Sequence, residues 1–216
     1  IRQSLLKRLT VDHNNTPQTA CRPFDADRTG TVISEGGGLV ILEELQRARA
    51  RQATIYAELV GFGASSNTHG WSEPHPEGRG LALAINKALS DARLEPEQLD
   101  LVVSFGCGLA EHDLSEARGI AAALGKRAAE VPVMAIKGAM GNNGAGSGAI
   151  DLAMACKAMQ RGLIAPSQNT DQVDPQCRLN VVSGQPADAR LETVLVVSYA
   201  LGGGQNAALV LRRPDG

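Results

Sequence analysis

Apolar and polar positions alternate along the chain in a way that separates strands from helices. Leu99 to Val103 and Val131 to Ile136 are short, nearly unbroken apolar runs, the pattern of strands buried on both faces. Leu81, Ile85, Ala88 and Leu89 recur at helical spacing and predict a helix over 81–93. Asp113, with Glu116 three positions on, predicts a capped helix running to Leu124 before Gly125. Ala145 to Arg161 reads as a long helix of small residues that stops at Gly162. Leu191 to Tyr199 and Ala207 to Leu211 predict two strands separated by Gly202-Gly203-Gly204. Upstream, Thr54 to Phe62 alternates loosely as a strand and Glu43 to Arg51 is a polar helix. Thr31 to Val40 is β-prone at both ends around Gly36-Gly37-Gly38. Residues 1–30 predict a short helix followed by a loop, and Gly63 to Gly80 a second loop.

Strands alternating with helices, then a closing pair of strands, predict an α/β fold with an antiparallel end. Apolar residues are 43% and charged residues 20% of the 216, enough to bury a core. The net charge of −2 predicts no nucleic-acid-binding face. Aromatic residues at 3% argue against base-stacking platforms and membrane belts. No apolar run approaches the roughly 20 residues of a membrane span. Ile1 to Leu9 has no signal-peptide pattern. The chain opens on Ile1 rather than Met, so it is expected to begin inside something larger.

Cys21, Cys107, Cys156 and Cys177 lie far apart without a CxxC spacing, which predicts neither a disulfide framework nor a zinc site and fits the cytoplasm. His69 and His75 share a loop with Glu73 and Glu77; an exposed polar loop is the expectation there, not a metal site. His13 and His112 stand alone and are expected to be solvated. Gly141 to Gly146 precedes a helix and can offer backbone N–H groups to an anion, but it matches neither a P-loop nor GxGxxG. Glycines for close packing are the expectation.

Several dispersed segments together resemble one family. They are Ala20-Cys21-Arg22-Pro23-Phe24-Asp25 with Arg28 and Gly30, then Glu35-Gly36-Gly37-Gly38 with Val40 to Glu43. Thr54 to Glu58, Leu99-Asp100, Lys137, Pro166 to Asn169, Asp174-Pro175 and Gly202 to Asn206 follow in order. The set is similar to the β-ketoacyl-[acyl-carrier-protein] synthases from about residue 14 to residue 213. The resemblance implies the C-terminal half of a thiolase-like fold, α-β-α layered around a mixed five-stranded sheet. Residues 1–30 would connect to an N-terminal half, and 31–216 would form the C-terminal domain. The family's nucleophilic Cys belongs to that N-terminal half, and Cys21 is not it.

The departures from the family pattern bear on chemistry. Phe105 stands where the family's first catalytic His opens its HGT motif, and Asn142 where the second follows Lys137. Gly202 aligns with a phenylalanine that gates the family's acyl pocket, while Gly203, Gly204 and Asn206 remain as its substrate-binding loop. Ketosynthases decarboxylate malonyl-carrier protein and stabilise a developing enolate oxygen with two imidazoles. Phe105 donates no hydrogen bond; Asn142 can donate one. Glu116 and Lys137 are kept and are expected to pair as ions that order the loops.

Similar losses mark the chain-length factors of two-subunit polyketide synthases, although this chain keeps the RPFD and EGGG segments of the fatty-acid-type enzymes. The first reading is therefore a degenerate ketosynthase subunit of fatty-acid or polyketide biosynthesis, pairing with an N-terminal half or an active subunit as a homo- or heterodimer. It would shape the pocket for an acyl chain borne on acyl-carrier protein, without cofactor, metal, nucleic acid or membrane. The alternative is a working 3-oxoacyl synthase that borrows its Cys from the other half, with His112 as the nearest imidazole. A third is a scaffold domain without an acyl ligand.

Overall fold

The computed structural model describes residues 2–68, 70, 72–202 and 204–214. The chain opens with α1 (Arg2–Leu5) and, after a long irregular stretch, forms α2 (Leu45–Ala50), β1 (Glu58–Ser66) and α3 (Arg79–Ala92). Next come β2 (Leu101–Val103), α4 (Ala110–Leu124), β3 (Pro132–Met134), α5 (Lys137–Met140) and α6 (Ser147–Arg161). Short strands β4 (Leu163–Ile164), β5 (Asn180–Val181) and β6 (Ala187–Asp188) lead to β7 (Thr193–Tyr199) and β8 (Gln205–Arg212).

The main sheet has the order β1-β8-β7-β2-β3-β5. β1, β8 and β7 are antiparallel neighbours, whereas β2, β3 and β5 continue the sheet parallel to β7. The sheet is mixed, as expected, but has six strands rather than five. The extra one is β5, an edge of two residues too short to leave a periodic signal. Strand alternation sends Leu195, Val197, Val102 and Val133 to one face, against Ile85 and Leu89 of α3 and Ile120 and Leu124 of α4. Val194, Val196, Leu101 and Val103 go to the other, against Ala155, Ala158 and Met159 of α6. Each fully buried Leu, Ile or Val is worth about 1.5–3 kcal/mol, so this α-β-α sandwich is held from both faces.

Two expected strands differ from those observed. β1 runs on to Ser66 because its ladder with β8 continues from Glu58–Arg212 to Ser66–Gln205. Gly61 and Gly63 lie under α3, where an added Cβ would overlap the carbonyls of Ala88 and Ala84; glycine here permits contact and is not a loop signal. Around Thr31 to Val40 only isolated bridges form, at Thr31 and Ile33. The expected antiparallel close of the fold, β7 with β8, is present.

Beyond Ser34 the chain runs to Glu43 without regular structure. Leu39, Ile41 and Leu42 are 89%, 83% and 74% exposed. The run is fixed at both ends. The Asn143 side chain donates to Glu35 O at 3.0 Å, and Glu44 caps α2 by accepting from Gln46 N and Arg47 N.

Candidate functional site

The loop from β2 to α4, Ser104–Leu109, is organised by two buried carboxyl groups, those of Asp113 and Glu116. Glu116 accepts from Phe105 N at 2.7 Å and from Gly106 N at 2.9 Å. Asp113 accepts from Cys107 N at 2.9 Å, from Gly108 N at 3.1 Å and from Phe24 N at 2.8 Å. Four successive loop amides thus end on two side chains of one helix. This corrects the capping expectation. α4 starts at Ala110 with Leu109 as its N-cap and no side-chain cap, and Asp113 and Glu116 reach back past that end to the loop. Gly106 is needed there: its φ is +35°, and a Cβ would press on the Phe24 ring at 2.7 Å.

The segments that carry the resemblance converge on this loop. Asp25 accepts from Asp171 N at 2.8 Å and Gln172 N at 2.9 Å. Arg28 Nη1 pairs with Asp174 at 2.9 Å, and its Nε stands 3.8 Å from Asp113. Asn169 Nδ2 donates to Gln18 O, Cys21 O and Gly138 O.

The expected ion pair between Glu116 and Lys137 is not formed. Lys137 Nζ sits 3.0 Å from Asp151 Oδ2, because Glu116 is committed to the loop amides. Burial, with Asp113 beside it, raises the Glu116 carboxyl to about 8. Asp151, on α6, was not singled out from the sequence. The only signal for it was a lone acid on a small-residue helix.

Lys137 Nζ also lies 4.1 Å from the centroid of the Phe105 ring. Phe105 also meets Tyr199, with ring centroids 4.6 Å apart. Tyr199 stacks in turn on His112 at 6.3 Å, and Cys107 Sγ lies 3.9 Å from its hydroxyl. Phe105, Cys107 and Leu109 form a small apolar cluster with Tyr199 and Leu201, apart from the two sheet cores. His112 is therefore buried rather than solvated, and burial beside Arg8 lowers its imidazole to about 4. Tyr199, like Asp151, was missed; its signal is an aromatic residue just before the glycine run of an aromatic-poor chain.

Asn142 is buried. Its Oδ1 accepts from Gly144 N at 3.0 Å, while its Nδ2 has no partner among the described residues. Gly202, Gly204 and Asn206 border a cavity of about 20 Å³ together with Tyr199, His112 and Glu116. Asn206 Nδ2 donates to Gly204 O and Asn67 Oδ1, both at 3.0 Å, so its amide orders the loop. Gly203 and His69 lie outside the described residues.

The glycines near Asn142 serve packing. A Cβ at Gly146 would overlap Gly36 O, and one at Gly38 would lie 2.9 Å from Ala149. Burial raises the thiol of Cys21 to about 11 and of Cys177 to about 12, and raises Cys107 and Cys156 as well. None is poised as a thiolate nucleophile.

The family model described as "Beta-ketoacyl synthase, C-terminal domain" matches residues 56–171, and "Beta-ketoacyl synthase, N-terminal domain" matches residues 5–48. The chain belongs to the β-ketoacyl synthase family. It is 39% identical over 205 residues to the tetracenomycin polyketide synthase ketoacyl synthase alpha subunit of Streptomyces glaucescens, covering 95% of this chain and 48% of that protein. It thus spans about half the length of the curated relatives it matches. A type II polyketide ketosynthase solved with its acyl-carrier protein superposes at TM-score 0.95 and 29% identity, over 99% of this chain and 52% of that one. The ishigamide ketosynthase/chain length factor superposes at TM-score 0.90 and 32% identity, over 99% and 50%. The thiolase-like, layered α/β architecture follows from these neighbours and from the six-stranded mixed sheet.

Proposed function

We propose that this chain is a non-condensing part of a ketosynthase assembly in polyketide or fatty-acid biosynthesis, acting with a polypeptide region that supplies the rest of the N-terminal domain. The observation that carries the reading is the packing of Phe105 against Lys137 and Tyr199. At the position the resemblance gives to an imidazole there is a buried phenyl ring, which donates no hydrogen bond. Removing one such donor typically costs about a hundredfold to a thousandfold in rate.

Dependence on a partner is supported by the exposed run through Leu39, Ile41 and Leu42. Apolar side chains on both faces of an extended segment suit a strand inside a sheet, and residues 5–48 match only part of the N-terminal domain. Residues 1–30 are the connecting segment in this reading, and the domain from residue 31 onward is the C-terminal unit. The wider partners are acyl-carrier protein with its acyl chain and an active ketosynthase subunit, in line with what two solved neighbours contain. The cytoplasm is the compartment proposed. No helix among the described residues is long and apolar enough to cross a membrane.

The test is reconstitution with the rest of the N-terminal domain. Association should be tight in size-exclusion chromatography and lost in Ile41→Asp, with no condensation from the assembled pair alone. A chain that stays monodisperse and monomeric beside that partner, or a pair that condenses malonyl-carrier protein, sinks the reading. A second reading, a working condensing enzyme, is favoured by one observation, the unpartnered Asn142 Nδ2, a donor held in reserve for a carbonyl oxygen.

A further inference from the structure

The main sheet ends in two unlike edges. β5 has two residues and offers little backbone to another chain. β1 has nine, and among the described residues its one strand neighbour is β8. A long edge strand presents a row of unpaired N–H and C=O groups, a template for a further strand. From Leu59 to Ser66 the strand carries neither a charge nor a proline, the usual deterrents. Its irregularity lies near the start, between Leu59 and Gly61, and the pairing is regular from there to Ser66. Leu59 and Phe62 are both exposed.

The deterrent comes from α3. Asp91 Oδ2 accepts from Phe62 N at 3.0 Å, and Lys87 Nζ donates to Ala64 O at 3.0 Å. An amide has one hydrogen, so the Phe62 N–H points to Asp91 and not into the ladder with β8. Alternate residues of a strand present their backbone groups on one side, which puts those of Phe62 and Ala64 together. Lys87 and Asp91 stand one turn apart on one face of the helix. The reach depends on glycine. Gly61 and Gly63 let α3 lie so close that a Cβ on either would overlap the carbonyls of Ala88 and Ala84. At that separation the short Asp91 side chain spans from helix to strand edge.

We propose that Lys87 and Asp91 guard the β1 edge, occupying backbone groups through which a second copy of this chain would add its own β1 as an antiparallel strand. A two-fold axis brings like edge to like edge, and the exposed Leu59 and Phe62 of each copy would come together there. The inference is independent of the ketosynthase reading. Both guards are exposed, so removing them takes no packing from the core.

The experiment is sedimentation velocity on the full chain in an Ile41→Asp background, where the Leu39–Leu42 run is interrupted. Lys87→Ala with Asp91→Ala, checked for folding by circular dichroism, should associate at a concentration at least about tenfold below that of its parent. Asp91→Asn keeps an acceptor for the Phe62 amide and should stay at the parent's level. Phe62→Pro, added to the double variant, removes an N–H that faces away from β8 and should restore the parent's behaviour. The guard is overturned if the folded double variant associates no more readily than its parent, or if Phe62→Pro leaves its association unchanged. Should the double variant fail to fold, Asp91→Ala alone should show a smaller shift in the same direction, and no shift in it overturns the proposal.

Discussion

Lys137 and Asp151 form an ion pair of 3.0 Å with both side chains almost wholly buried. The cost of taking two charges from water is recovered only while both are present. Lys137→Met or Asp151→Asn alone should therefore destabilise the chain by about 3–5 kcal/mol. The double change Lys137→Met with Asp151→Leu should recover most of that loss, since it strands no charge. Urea unfolding of the three variants checks this, and a double variant no better than the singles would contradict it.

Glu116 and His112 should make opposed contributions to stability against pH. Glu116 is raised from 4.5 to about 8, so between those values the native state keeps a proton that the unfolded chain releases. Its contribution falls as pH rises through that window. His112 is lowered from 6.5 to about 4, so between those values the unfolded chain takes up a proton that the native state refuses. Its contribution falls as pH drops through that window. Glu116→Gln should leave a melting temperature that declines toward acid, and His112→Gln one that declines toward alkali. Each slope is at most about 1.4 kcal/mol per pH unit. Parallel profiles for the two variants would exclude these protonation states.

Gly63→Ala should destabilise the fold although it adds one methyl to a strand. That methyl would strike the Ala84 carbonyl of α3, forcing helix and sheet apart at a cost on the order of 1–3 kcal/mol. Gly37→Ala meets nothing within 4 Å and should change stability little. Thermal melts of the two variants make the comparison.

Phe105→His would set an imidazole beside the Lys137 ammonium, now 4.1 Å from the ring centre. That neighbour disfavours a second positive charge, leaving a neutral ring that can donate through one N–H. Combined with Asn142→His, and with the rest of the N-terminal domain supplied, malonyl-carrier-protein decarboxylation should rise on the order of a hundredfold. No rise would mean that the two positions do not face the substrate.

The strands of the sheet were legible because their apolar runs are buried on both faces, as in Leu101–Val103 and Thr193–Tyr199. The start of α4 was not, because Asp113 and Glu116 have the spacing of a capping box yet serve a loop. The spacing names acceptors, and only the fold decides which amides reach them. His112 was misread for a similar reason: its burial is made by Tyr199, 87 positions away on β7. Phe105 and Asn142 drew attention only through the resemblance, as expected departures from a family pattern. Nothing local to either predicted the tyrosine or the Lys137–Asp151 pair that packs with Phe105.

The two acidic side chains under the Ser104–Leu109 loop would be required of any chain that turns in this way, whatever it does with a substrate. Four amides pointing inward need acceptors before any reaction is considered. An acid pair with this spacing after a glycine-containing loop is thus a record of backbone shape. A search that treats it as a signature of turnover reads a requirement of the turn as a requirement of the reaction.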